Sequence, residues 1–338
     1  MRDLSYLTAH YDEKIQRIRE INAPINFVFI TDPHNRLNHF SNECQKIEND
    51  GSHVELAADH IRSIQYILDR CPEIRCVIFG GDAANDSYPD GERFRASAKE
   101  VYDALYDLNV PVHILIGNHD DGIGFAIDHG IPVKTHSLFP EELHAWCMKN
   151  NPTRENYYYV DIEPGYRFAF LNSMDAPYAA ENGDYRRYYT LGISERQARW
   201  FEDEVLKTDR RILIFTHAPL HNAGCIGEGM PLGIKPYDDT VNAPRILHDI
   251  ACAPNVIANI AGHVHYDNIV YTNSYLTITT LCSLVQEWTP SCPKREYGTI
   301  TETAFDVFSV TDDMIYMTRF GAGHDREAPI IGYRPAAF

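Results

Sequence analysis

Five apolar segments in this sequence each run straight into an aspartate, asparagine or histidine, and that juxtaposition limits the folds open to the chain. INFVFIT (25–31) leads into Asp32-Pro33-His34, RCVIFG (75–80) into Gly81-Asp82, and VHILIG (112–117) into Asn118-His119-Asp120. RILIFT (211–216) leads into His217, and NVIANIAG (255–262) into His263-Val264-His265. A short segment that is apolar almost throughout, rather than at alternate positions, reads as a strand covered on both faces. Helical patterns over 5–21, 54–70 and 92–108 alternate with the first three segments. That alternation predicts a parallel or mixed sheet covered by helices. Strands sharing such a sheet deliver their carboxyl ends to one edge, where α/β proteins bind ligands.

The rest of the chain adds a second kind of pattern. YYYVDI (157–162) and YRFAFLN (166–172) flank Glu163-Pro164-Gly165 and read as a hairpin. Ser194-Glu195-Arg196-Gln197 is a capping box that opens a helix to about residue 207. The last third is strand-rich: NIVYT, YLTITTL, TAFDVFSV and DMIYMTRF, with turns at Asn273-Ser274 and Asp312-Asp313. No repeat or Ser/Pro/Gly-rich linker divides the chain, so one domain over 1–338 is expected. Its fold class is α/β, with two packed mixed sheets and outer helices. The polar strand ends lie at 32–265; strands over 269–320 are expected to complete the second sheet, with 321–338 as a tail.

Charge narrows the partners. With 30 Lys+Arg against 48 Asp+Glu, the formal net charge is −18, which repels nucleic acid and anionic membranes. No basic stripe marks a DNA-binding surface. The N-terminus carries charges every few residues and has no apolar core of the kind a secretory signal needs. No stretch approaches the roughly 18 apolar residues of a membrane span. The 8 cysteines are scattered without a C-x-x-C pair, so reduced thiols and a cytoplasmic location are expected.

Carboxylates and imidazoles brought together near-buried would repel one another and lose hydration, at a cost of several kcal/mol. Divalent cations remove that cost. Carboxylate, amide oxygen and imidazole together suit Mn²⁺, Fe or Zn²⁺ better than Ca²⁺ or Cu(I). Seven ligand side chains exceed what one ion takes, whereas two ions sharing a bridging carboxylate fit the number.

In this order and spacing the residues resemble the calcineurin-like metallophosphoesterases, whose pattern is D-x-H, G-D, G-N-H-D/E, H and G-H-x-H. All blocks are present: Asp32-Pro33-His34, Gly81-Asp82, Gly117-Asn118-His119-Asp120, His217 and Gly262-His263-Val264-His265. The resemblance implies a four-layer α-β-β-α sandwich, its two sheets face to face, and two divalent metal ions, Mn or Fe, with Zn possible. One ion would be held by Asp32, His34, Asp82 and His265. The other would share Asp82 and add Asn118, His217 and His263. A hydroxide between the ions would attack a phosphoester. His119 would supply a proton to the leaving oxygen, and Asp120 would orient it.

Two departures narrow this further. Purple acid phosphatases carry G-D-x-x-Y, and the matching position here is Asn85. Ser/Thr protein phosphatases carry D-x-H-G and G-D-x-x-D-R-G; here Asn35 follows His34, and Asp86 is followed by Ser87. A hydrolase acting on a small phosphoester, with a diester favoured, is therefore expected. The alternatives are a phosphomonoesterase, a nuclease of the same superfamily, or a catalytically idle metalloprotein that binds phosphorylated ligands. His39, Asn85 and His221 are candidates for substrate contact. Arg36 reads as part of a solvated loop, and Asp267 as an acceptor for an imidazole N–H. The Tyr-rich 174–192 and the Gly/Pro-rich 222–242 are candidate loops for substrate choice and a lid. Oligomeric state has no signal in the sequence.

Overall fold

Each of the five apolar segments forms a strand. In the computed structural model, β1 (Ile25–Ile30), β2 (Ile74–Phe79) and β3 (Val112–Ile114) lie side by side and parallel. The structure describes residues 3–36, 57–86, 91–122, 140–175, 191–220, 243–272, 275–281 and 293–331. In a second sheet, β4 (Tyr158–Ile162) and β5 (Tyr166–Phe170) form the expected hairpin, and β6 (Arg211–Thr216) and β7 (Val256–Ala261) follow in parallel. Strands β1, β6 and β7 are buried at every residue, which is why their sequences do not alternate.

The C-terminal strands do not all join the second sheet as expected. Strands β8 (Asn268–Thr272) and β9 (Tyr275–Thr279) do, giving the order β4-β5-β6-β7-β9-β8. Strands β10 (Ala304–Val310) and β11 (Met314–Gly321) return to the first sheet, and β12 (Arg326–Pro329), within the expected tail, adds its edge. The first sheet therefore runs β12-β11-β10-β1-β2-β3. The physical reason lies in β10, which is buried on both faces and pairs antiparallel with the free side of β1. Phe27 stacks on Phe308 at 5.2 Å across that pair. Alternation tells strand from helix, but not which open edge a late strand will cover.

The sheets meet face to face through aromatic side chains. Phe27 of the first contacts Phe168 at 5.1 Å and Phe215 at 5.4 Å from the second, both edge-on, a favoured ring geometry. Helix α1 (Thr8–Ile21) covers the outer face of the first sheet, where Tyr11 packs on Phe305 and Phe320. Helices α2 (Ala57–Leu68) and α3 (Gly91–Tyr106) connect β1 to β2 and β2 to β3 and bury their apolar stripes in the same core. A shorter helix, α4 (Pro140–Cys147), follows β3. On the other side, α5 (Glu195–Trp200) and α6 (Ala243–Ala251) cover β5 and β6 through Ala198, Ile246 and Ile250. Four layers result.

The cap of α5 is half of what its sequence implies. Ser194 Oγ accepts from Gln197 N at 3.1 Å, but the Gln197 amide turns away to Asn172 O and Asp175 Oδ2. Asp175 takes over the Ser194 amide, at 3.4 Å. The helix then loosens into a π-turn over Phe201–Val205. No helix among the described residues is long and apolar enough to cross a membrane. Cys71, Cys76, Cys147 and Cys252 are free thiols, and burial pushes the Cys76 thiol up to about 12, where it stays protonated and inert.

Candidate metal centre

The loops leaving β1, β2, β3, β6 and β7 meet at one edge where the two sheets face each other. They are held in a conformation that L residues avoid. Asp32, His34, Asp82, His263 and His265 have φ of 51°, 46°, 57°, 68° and 59°. Among the described residues the only other non-glycine in this region is Asn22, the left-handed cap of α1. Each such residue costs about 1–3 kcal/mol, so the surroundings must over-determine it. They do: Asp32 N donates to Gly81 O at 3.0 Å, His34 N to Asp82 O at 3.2 Å, and Gly262 N to His217 O at 3.0 Å. The motif glycines are space requirements. A Cβ on Gly117 would collide with Asp82 Oδ1, and one on Gly262 with Thr31 Oγ1 and Asp32 Oδ2.

The side chains form two groups that share one carboxylate. Ligand atoms of Asp32, His34, Asp82 and His265 lie within 4.8 Å of one another, as do those of Asp82, His217 and His263. Asp82 spends Oδ1 on the His119 amide at 2.9 Å. Its Oδ2 stands between the groups, 3.7 Å from His34 Nε2 and 3.4 Å from His217 Nε2. Asp32 is divided the same way. Oδ2 takes the Thr31 hydroxyl and, at 3.0 Å, the His263 amide, while Oδ1 faces His265 Nε2 at 3.1 Å. Asn118 Oδ1 lies 2.9 Å from both His217 Nε2 and His263 Nδ1. All seven sequence-predicted ligands therefore converge, in the predicted division.

The donor set can be tested against a cation from its own hydrogen bonds. His217 Nδ1 faces Gly80 O at 2.7 Å, and a carbonyl only accepts, so Nδ1 carries the proton. Neutral His217 then points a lone pair from Nε2 at Asp82 Oδ2, Asn118 Oδ1 and, at 3.2 Å, His263 Nδ1. Buried lone pairs aimed at one another need positive charge between them. Without a cation, a proton supplies it. Burial pushes His217 down, but Asp82 and the neighbouring acceptors outweigh burial and lift it to about 9. Burial also drives His34 and His263 down to about 3, so both imidazoles are neutral and ready to coordinate. Asp82 is held well below the usual carboxylate range: burial opposes this, and His217 and His119 prevail. Four imidazoles, two carboxylates and an amide oxygen suit a borderline divalent ion, and two such ions fit the two groups.

His119 stands beside the centre, not in it. Its Nδ1 is 2.7 Å from Asp86 Oδ1, and its Nε2 is 3.9 Å from Asp82 Oδ2. Burial lowers it, but Asp86 and Asp82 raise it to about 9, so it holds a proton at neutral pH. The partner is not the expected one. The Asp120 carboxylate accepts from the backbone amides of Asp82 at 3.0 Å and of Ala83 and Gly117 at 2.7 Å. Asp120 thus braces the β2 and β3 loops, and Asp86 orients His119. Sequence reasoning passed over Asp86, though it is the first acid after the G-D block and four residues from Asp82. Thr31, which holds Asp32, was also passed over; a hydroxyl before the first motif residue was the available signal.

The remaining candidates divide. Asn85 lies at the rim, its amide donating to Asn35 O at 3.2 Å, directly before Asp86. Among the described residues Asp267 meets no imidazole; it accepts from Arg319 and from Leu281 N. Arg36 is not solvated as expected: it is buried. Asn35 before it turns to α3, donating to Ser97 O and Glu100 Oε2. His39, His221, most of 174–192 and the segment 222–242 lie outside the described residues.

Comparison with known proteins agrees with this geometry. No curated protein matches the sequence. A dimetal phosphatase from Danio rerio is similar in structure, with a TM-score of 0.62 at 18% identity, covering 92% of this chain and 100% of that one. So is GAP50, the anchor in the inner membrane complex of Plasmodium, with a TM-score of 0.51 at 12% identity over 93% of this chain and 90% of that one. The profile of the calcineurin-like phosphoesterases matches residues 25–267, a span that contains every candidate ligand. The chain belongs to the calcineurin-like phosphoesterase family.

Proposed function

We propose that this protein hydrolyses a small phosphodiester, using two divalent ions, Mn²⁺ or Fe in preference to Zn²⁺, with His119 as the proton donor to the leaving oxygen. The observation that carries the reading is the pair of ligand groups joined by Asp82 with His119 held protonated beside them. When bound, the ions supply charge to neutralise the phosphoryl oxygens and to generate a nucleophile from water at neutral pH. Asp32, His34, Asp82 and His265 would hold one ion, and Asp82, Asn118, His217 and His263 the other. Asp86 fixes the His119 ring through Nδ1, which turns Nε2 toward the Asp82 side, from where it would give its proton to the leaving oxygen. Transfer of that proton is worth roughly 10²–10⁴ in rate.

Charge supports an anionic substrate of modest charge. In a chain of net charge −18, Arg36, buried two residues after His34, is a cation suited to one phosphoryl oxygen. A diester brings a single negative charge to such a site, and the sequence lacks both the Tyr and the Arg-Gly that mark two related phosphatase groups. The test is turnover of a chromogenic phosphodiester and the corresponding monoester by chelator-stripped protein, with and without Mn²⁺. Turnover that depends on Mn²⁺ and favours the diester is expected. Mn²⁺-loaded protein that turns over neither ester contradicts the reading, and faster turnover of the monoester reverses its substrate class.

A further inference from the structure

We infer that a cluster of Asp267, Asp306, Arg319 and Arg326, buried at Asp306 and Arg319, positions the turn that carries His263 and His265, so that strands beyond the family-matched span set the affinity of the metal centre. The matched span ends at residue 267. The other three members lie on β10, β11 and β12.

The contacts are dense. Asp267, two residues past His265, accepts at Oδ1 from Arg319 Nη2 at 2.7 Å and from Leu281 N at 3.1 Å, and lies 3.1 Å from Arg326 Nη2. Arg319 forks onto Asp306, Nε to Oδ1 at 2.8 Å and Nη2 to Oδ2 at 2.9 Å, and sends Nη1 to Ala322 O at 2.9 Å. Arg326 reaches Asp306 Oδ2 and Thr279 O, both at 2.8 Å. Next to Asp267, Tyr266 O accepts the Thr279 hydroxyl at 2.9 Å. The rear of the turn is therefore tied at two consecutive residues. Its front is held where Gly262 N meets His217 O and the His263 amide meets Asp32.

Three observations point to positioning. His263 and His265 both have positive φ, a state that persists only when the surroundings impose it. The cluster joins the same two sheets that divide the ligands: Asp267 and Thr279 come from the second sheet, Asp306, Arg319 and Arg326 from the first. Asp32, His34, Asp82 and Asn118 follow strands of the first sheet, and His217, His263 and His265 follow strands of the second, so relative placement of the sheets at this edge decides whether the ligand atoms meet. Finally, the Asp306–Arg319 pair at the heart of the cluster is buried, and a buried ion pair is a poor device for stability alone, because desolvation offsets the attraction.

The inference rests on the metal reading of the site, and wild-type protein separates the two. Mn²⁺ dissociation constants are measured by chelator competition on stripped full-length wild type, Arg319→Gln, Asp267→Asn, the double variant and Arg319→Lys. Arg211→Gln is the control. Arg211 also links the sheets, from β6 to Thr311 O and Asp312 O at 3.0 and 2.9 Å, but at the opposite edge. We expect Arg319→Gln and Asp267→Asn each to weaken Mn²⁺ binding by about 10–100-fold, the range for residues that orient ligands. The double variant should lose less than the product of the two single losses, since both break the Arg319–Asp267 link. Arg319→Lys should recover part of the loss, and Arg211→Gln should bind as wild type does. Folded variants that bind Mn²⁺ within about twofold of wild type overturn the inference, as does an equal loss in Arg211→Gln. If Arg319→Gln does not fold, Asp267→Asn, which keeps the side-chain shape, decides alone. A wild type that binds no Mn²⁺ overturns the metal reading and this inference together.

Discussion

Raising the pH should tighten metal binding, and the size of the effect follows from one histidine. His217 must be neutral at Nε2 to coordinate, yet Asp82 and its neighbours, against the opposing effect of burial, hold it at about 9 in cation-free protein. At pH 7 the incoming ion displaces a proton bound about two units above ambient, a penalty of about 2.7 kcal/mol or roughly 100-fold in apparent affinity. Affinity should therefore rise about tenfold per pH unit from 7 toward 9 and then level off. His34 and His263, at about 3, release nothing. His119 loses only part of its proton, because an ion neutralises Asp82 but leaves Asp86 in place. Titration calorimetry with Mn²⁺ in buffers of different ionisation enthalpy measures the release directly, and between one and two protons are expected at pH 7. The stability of stripped protein should move the other way. A pKa raised from 6.5 to about 9 gives stability that is fully present below about 6.5 and is lost as pH rises through 9. The Tm of stripped protein should fall across that window while the Tm gain from Mn²⁺ grows. Binding that is flat with pH and releases no proton would refute the reasoning about His217.

Other perturbations test neighbouring parts of the site. Asp86→Asn should lower the His119 pKa from about 9, move the alkaline limb of the rate profile to lower pH, and reduce kcat by about 10²–10⁴ with Mn²⁺ binding retained; unchanged kcat in a metal-loaded variant contradicts the proton-donor role. Gly117→Ala should displace the Asp82 carboxylate and abolish both ion sites in a folded protein, read by elemental analysis; retention of two ions would show the loop has room to give. Arg36→Gln should raise KM for the phosphoester with kcat little changed, and an unaltered KM removes Arg36 from substrate binding.

The sequence made the centre legible because its signal is local: each ligand sits directly behind an apolar strand, and the fold only has to align strand ends. Asp32, His34, Asp82, Asn118, His217, His263 and His265 were all readable in this way. What it concealed depends on tertiary neighbours. Asp120 and Asp86 are both acids near His119, and only the path of the β2 and β3 loops decides that Asp120 meets backbone amides while Asp86 meets the imidazole. Asp267 follows His265 as an imidazole partner would, but Arg319, 52 residues away, claims it. The return of β10 and β11 to the first sheet was hidden for the same reason, since an apolar strand does not encode which open edge it will cover.

The central claim is that two cations share Asp82. Anomalous diffraction at the Mn edge from crystals grown with Mn²⁺ tests it directly. The account predicts two peaks about 3.5–4 Å apart, one beside Asp32, His34 and His265, the other beside Asn118, His217 and His263, with Asp82 Oδ2 between them. A single peak, or two peaks with Asp82 bound to only one, would contradict it.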